Sequence, residues 1–367
     1  VALNRLCFGP VHVNVMRAYL ALAQAYLAMD KGEMALTHIH TAREMRDMIP
    51  PEHSQYLMPA LICTHALSLA CCGEKRKALT LLTKAADFQI SLRGENHPGE
   101  FAIRMSQGRI CAELGDSQDA LAFFAKARAI KQMEGREHVD LGDVYSQIAK
   151  IYMATGNLEQ CLYALQEAKH MFDVNGMSNT PDMGDVCFRL MEVYTLLGSY
   201  EESEHEGLQA YGILQAHYGP QSKRAVQVAK QLSFVFVKCG KYLQAAELSQ
   251  GVIEDERRIY GGRSMQVAVS LKLLGTALVA LEDSDGALVA YKEAERILTR
   301  FLEAEEKKKK TRQAKHDLEK SAGAEGDVEV SRTGGQTAAV ASAAHHQRLQ
   351  EERTRMALLR ARIQELE

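Results

Sequence analysis

Apolar residues recur along most of this chain at spacings of three and four, the signature of one helical face. The stretches that show it are about a dozen to twenty residues long and are separated by short polar breaks. They fall in pairs, and the pairs repeat. A small residue that follows a turn and opens an apolar helix recurs as Ala35, Ala78, Ala120, Cys161, Ser203, Ala245 and Ala287, at intervals of 41 to 43 residues. Each marker sits in the same skeleton. The fourth reads Tyr145, Ile148, Ala149 and Tyr152, then Cys161, Leu165 and Ala168; the seventh reads Leu271, Leu274, Gly275 and Leu278, then Ala287, Tyr291 and Ala294. A helix that alternates large and small residues in this way meets a second helix at a close crossing, where a large side chain on both sides would not fit. One such pair cannot bury its apolar face alone, so the pattern predicts a stack of helix pairs, each with a helix A and a helix B.

Turn chemistry agrees with that division. Between A and B stand Asp30-Lys31-Gly32, Cys72-Gly73, Leu114-Gly115-Asp116, Thr155-Gly156-Asn157, Leu197-Gly198, Cys239-Gly240 and Asp283. Between one pair and the next stand Gly9-x-x-His12, Gly94-x-x-His97, Gly135-x-x-His138, Gly176-x-x-Asn179, Gly219-x-x-Ser222 and Gly261-x-x-Ser264. The glycine ends one helix and the polar residue caps the next.

The large, large-small, large pattern followed by Ala-x3-large resembles the tetratricopeptide repeat (TPR) superfamily over residues 10–300. The period exceeds that of the common TPR by about eight residues, as in the long-repeat subgroup that includes kinesin light chains. The resemblance implies an all-α, right-handed TPR-type α-solenoid of seven helix pairs. Residues 1–9 read as the end of a preceding repeat and 10–300 as the seven repeats. Residues 301–320 read as a charged helical extension, 321–344 as a flexible linker rich in Ala, Gly, Ser and Thr, and 345–367 as a short coiled-coil-like amphipathic helix. Glu303/Lys307, Glu305/Lys309 and Glu306/Lys310 stand at i,i+4 in the extension. Leu349, Met356, Leu359, Ile363 and Leu366 fall on a heptad-like seam of the terminal helix and are candidate tail-interaction residues.

Composition adjusts this picture at a few points. The chain has 367 residues, 46% hydrophobic and 25% charged, with a net charge of −3 and no Trp. That is a globular composition with no general reason to bind nucleic acid. The charge-free stretch Ser54 to Gly73 is too polar for a membrane span and becomes helix A of the second unit. The eight Cys lack a framework spacing and read as reduced, structural thiols in a cytoplasmic setting. No His-Glu-x-x-His, phosphate-binding glycine loop or Gly-x-Ser-x-Gly occurs, so no catalytic, cofactor or metal residue is expected.

The remaining expectation is protein binding on the face that the A helices share. Side chains beside the packing positions are Arg17, Leu20 and Gln24, then Met105 and Arg109, Ser146 and Lys150, Phe188 and Glu192, Lys230 and Phe234, and Lys272 and Thr276. Basic members with interspersed Phe suit an extended or helical protein segment that is acidic and carries apolar anchors. The doubled Asn that kinesin light chains carry in helix A is replaced here by Leu20-Ala21, Cys63-Thr64, Met105-Ser106, Ser146-Gln147 and Lys230-Gln231. The opening Val1 to His12 with Leu22 to Leu27 also resembles the tetratricopeptide repeat protein 23 family, which implies a place in the cilium, its base or the axoneme. The reading is thus a non-enzymatic scaffold, ciliary or axonemal, with a kinesin-light-chain-like motor adaptor or a chaperone-type cofactor as alternatives.

Overall fold

The computed structural model describes residues 1–135, 137–322 and 333–366, with side chains given for these except at 309, 312–346, 348, 349 and 352. Among the described residues every regular element is a helix. The chain divides into two compact units, Val1–Asn179 and Thr180–Glu367.

The first unit opens with α1 (Ala2–Phe8), followed by four pairs. These are α2 (Val13–Ala28) with α3 (Gly32–Met48), then α5 (Met58–Cys71) with α6 (Lys75–Arg93), the short α4 (Pro51–Ser54) and one 3-10 turn intervening. They continue with α7 (Pro98–Leu114) and α8 (Ser117–Glu134), and α9 (Asp140–Ala154) and α10 (Leu158–Val174). The second unit holds α11 (Pro181–Leu197) with α12 (Tyr200–Tyr218), α13 (Lys223–Lys238) with α14 (Tyr242–Tyr260), and α15 (Met265–Ala280) with α16 (Ser284–Ala322). It closes with α17 (Thr333–Leu366). Within each unit a helix packs on its pair-mate and on the helix that follows.

All seven B-helix markers are fully buried, and so are the residues twelve positions earlier on helix A: Ala23, Ala66, Gly108, Ala149, Met191, Ser233 and Gly275. At three crossings a large side chain faces a glycine. Where helix B carries an aromatic four residues past its marker, helix A carries glycine: a Cβ on Gly108 would stand 2.6 Å from the Phe124 ring, and one on Gly275 2.5 Å from Tyr291. The fifth pair reverses the arrangement, with Met191 on helix A and Gly207 on helix B, whose Cβ would meet Met191 Sδ at 2.6 Å. A polar marker is also satisfied in place. Cys161 Sγ donates to the Ala149 carbonyl at 3.3 Å, and Ser203 Oγ donates to the equivalent Met191 carbonyl at 2.9 Å.

The expected caps are present with one displacement. His12, His97, Ser222 and Ser264 accept from backbone amides of the helices they open, and His138 Nδ1 accepts from Asp140 N at 3.1 Å. Before α11 the cap is Thr180, not Asn179, because Thr180 accepts from Met183 N. At the A-to-B turns a left-handed residue stops helix A; the first and seventh pairs use Asp30 (φ 57) and Glu282 (φ 62) instead of glycine.

The tail corrects two expectations. The segment 333–344 is helical, since α17 starts at Thr333, while residues 323–332 lie outside the described residues. The terminal seam is not free for a coiled-coil partner: α17 packs antiparallel on α16. Arg360 Nε meets Glu295 at 2.6 Å, Arg353 meets Glu306 at 2.5 Å, and Thr299 Oγ1 lies 3.5 Å from Met356 Sδ. Leu359 and Ile363 are buried, at 1% and 6% exposure, and Met356 and Leu366 are half-buried. Leu349 lies outside the described side chains. Glu306 pairs with Arg353 of α17, and Glu305 reaches Lys308 at 2.7 Å; Lys309 lies outside the described side chains.

Candidate protein-binding site

The side chains expected on the A-helix face separate into two columns four residues apart. The outer column holds Gln24, Arg109, Lys150 and Thr276, all exposed, with Glu192 and Phe234 half-buried. The inner column holds Leu20, Met105, Ser146, Phe188, Lys230 and Lys272, and it is turned toward the packing. Met105 is 4% exposed and Leu20 is buried too, so neither lines a groove; both fill the seam between neighbouring A helices. Phe188 and Lys272 are half-buried. Arg17, one turn before Leu20, is exposed and donates to the Tyr56 hydroxyl at 2.5 Å, with its guanidinium 5.6 Å from the ring centre.

Several of these residues are engaged by the next repeat. Gln24 reaches Thr64 Oγ1 at 3.5 Å, and Arg109 pairs with Asp143 at 2.7 Å. In the second unit, Arg224 pairs with Asp185 at 3.1 Å. Lys230 pairs with Glu256 at 2.9 Å and donates to the Gln266 carbonyl at 3.0 Å. Except for Lys230–Glu256, which joins α13 to its pair-mate α14, these bonds stitch consecutive A helices together. They lie 26 to 40 residues apart in sequence, beyond any helical periodicity.

Glu256 is the most buried of these partners, at 2% exposure, and it also accepts from Ser270 Oγ at 2.7 Å. A carboxylate so deep requires this pairing. A second, partly buried network joins the buried Glu100 and Gln107 to Arg104 and the exposed Thr83. Arg104 donates to Glu100 and, at 3.1 Å, to Gln107, which donates to Thr83 Oγ1 at 3.4 Å. Both networks escaped the sequence reading, because a polar residue at a packing position looks like a solvated one until its partner is placed.

One concave pocket lies between α7 and α9. It is lined by Phe124, Ile151, Ala112 and Ala154, by the cations Arg109 and Lys150, and by Glu113, Ser117 and Gln147. Lys150 donates to Gln147 at 3.1 Å, and Arg109 is held by Asp143, so both cations are held in place at the surface. Glu113 of the lining is paired with Lys75 at 3.0 Å, so the apolar side chains beside Arg109 and Lys150 can seat a small apolar side chain next to a carboxylate. Among the described residues no group of three or more His, Cys, Asp or Glu is placed to hold a metal ion, and no helix is long and apolar enough to cross a membrane.

A stack of helix pairs with a shared A-helix face defines a helical-repeat, protein-binding class of fold. The tetratricopeptide repeat family model matches residues 58–133 and 224–300. The curated relative Protein KINESIN LIGHT CHAIN-RELATED 3 of Arabidopsis thaliana is 23% identical over 217 residues, which is 57% of this chain and 32% of the relative. The chain therefore matches about a third of that relative's length. Among solved structures, BtubC (BKLC) from P. vanneervenii superposes with a TM-score of 0.52 at 17% identity, over 62% of this chain and 92% of its own. The apo form of RapI gives 0.61 at 10% identity, over 78% and 77%. Residues 58–133 and 224–300 are thus tetratricopeptide repeats, and the long repeats of the chain resemble those of kinesin-light-chain relatives.

Proposed function

We propose that this chain is a non-enzymatic adaptor that binds an extended, acidic protein segment along the A-helix face, with the pocket between α7 and α9 as its anchor point. The observation that carries this is the combination of apolar lining side chains and two held cations beside them. Preorganised cations cost less side-chain entropy on binding than free ones. The likeness of residues 1–12 and 22–27 to a ciliary repeat family supports a place at the ciliary base or axoneme within a larger assembly. The kinesin-light-chain relative supports a second reading, a motor-cargo adaptor on microtubules.

Proximity labelling in ciliated cells separates the two. The first reading expects ciliary-base or axonemal proteins, and the second expects kinesin heavy chain. An Arg109→Glu/Lys150→Glu bait expressed to the same level loses either set. An unchanged labelling profile for that bait removes the pocket from the account.

A further inference from the structure

The buried face of α17 has the spacing of a helix A. On α11 the residues turned into the stack are Met183, Val186, Leu190 and Val193, spaced three, four and three, and all are buried. The same spacing recurs 42 residues on in α13 and 84 residues on in α15. Met356, Leu359, Ile363 and Leu366 reproduce it in α17, against α16.

The polar contacts fall at the same station. In the interior of the stack, position eight past the helix-B marker meets the following helix A, as where the Arg128 guanidinium lies 6.0 Å from the Tyr145 ring centre. Eight residues past Ala287 is Glu295, and it meets Arg360 of α17 at 2.6 Å. Eleven past the sixth marker, Glu256 accepts from Ser270 of the next helix A. Eleven past the seventh is the buried Leu298, and Leu359, also buried, stands at the place of Ser270. The helix α17 therefore occupies the place of the helix A that would follow α16.

That place is reached by a different route. An interior helix A follows its helix B after a few residues, whereas α17 returns to α16 only at its far end, after the whole extension of α16 and residues 323–332. Among the described side chains its hold includes one short apolar seam and two ion pairs that are about a quarter to a half exposed. Pairs of that exposure contribute little stability but impose charge register.

We propose that the face of α16 formed by Glu295, Leu298, Thr299, Leu302 and Glu306 is a docking site for an amphipathic basic helix from a partner protein, and that α17 occupies this site in cis. The partner helix carries apolar residues spaced three, four and three, flanked by arginines that oppose Glu295 and Glu306. Charge complementarity between these two glutamates and Arg360 and Arg353 defines that chemistry. The site is distinct from the A-helix pocket and does not depend on it.

The test uses the full chain and a fluorescent peptide with the sequence of residues 350–366. Arg353→Glu/Arg360→Glu in the chain weakens the cis helix and leaves the α16 face intact. This variant is expected to take up the peptide at least about tenfold more tightly than the unaltered chain, because the cis competitor is lost. A chain with Glu295→Arg/Glu306→Arg should reject the native peptide and accept one with both arginines changed to Glu. Equal affinity for the unaltered chain and the arginine variant overturns the proposal, and so does absence of binding to both. Retained helicity and melting of each variant, read by circular dichroism, shows that the stack itself is intact.

Discussion

At the level of single residues, shape complementarity at the helix crossings sets the repeat. Gly108 faces Phe124, Gly275 faces Tyr291, and Met191 faces Gly207, so each of these crossings holds one large and one small partner. Gly108→Ala should therefore cost about 1–3 kcal/mol in a chemical denaturation experiment by overpacking the third pair. Adding Phe124→Leu should recover part of the loss. Two of the groups with shifted proton affinity, Cys63 and His65, lend themselves to test. Burial pushes the Cys63 thiol up to about 11, with a smaller opposing effect from the Ser106 hydroxyl. In native protein at pH 8, Cys63 should resist alkylation while the exposed Cys7 and Cys72 react. The pKa of His65 is lowered, first by burial and then by Arg43 and His40. Its unfolded form binds a proton more readily, so its contribution to stability is intact above about pH 6.5 and is lost as the pH falls below that value. The melting temperature of the chain should decline from pH 7 to pH 5, and His65→Gln should flatten that slope.

At the level of elements, the sequence displays the helices plainly and their partners poorly. Small residues every 42 positions reveal the A–B pairs because a close crossing tolerates few alternatives. Met191 was hidden from that pattern, since its volume is offset by Gly207 on the other helix. The binding face was half legible. Four of the six outer-column residues are exposed, with Glu192 and Phe234 half-buried, whereas Met105 and Leu20 turn inward, because the two columns differ by one helical turn and a small rotation decides which is covered. The stitch Arg109–Asp143 joins successive A helices, whose contact no local periodicity encodes, and Lys230–Glu256 adds a buried ion pair between the pair-mates α13 and α14. The second pair is buried deeply enough to test by stability. Lys230→Met should cost about 3–5 kcal/mol, because it leaves the Glu256 carboxylate without its cation. Lys272→Met, whose side chain has no such buried partner to strand, should cost far less in the same urea titration. The terminal seam was likewise visible as Met356, Leu359, Ile363 and Leu366, but a seam says only that something covers it. The structure supplies α16 of the same chain as the cover.

At the scale of the molecule, the chain is a repeat array in two compact units, each stabilised by contacts between neighbours in sequence. An array of this kind has no single centre, so function resides in surfaces rather than in an enclosed cavity. The A-helix face and the α16 face each combine apolar contact with fixed charge. The central claim is that the pocket between α7 and α9 anchors an acidic segment. Panning a random peptide display library against the full chain tests it directly, with the Arg109→Glu/Lys150→Glu chain as the comparison. The account predicts enriched peptides that carry Asp or Glu beside a small apolar residue and bind the variant at least about tenfold more weakly, at equal melting temperature. Enriched peptides without acidic residues, or peptides that bind both chains equally, would contradict it.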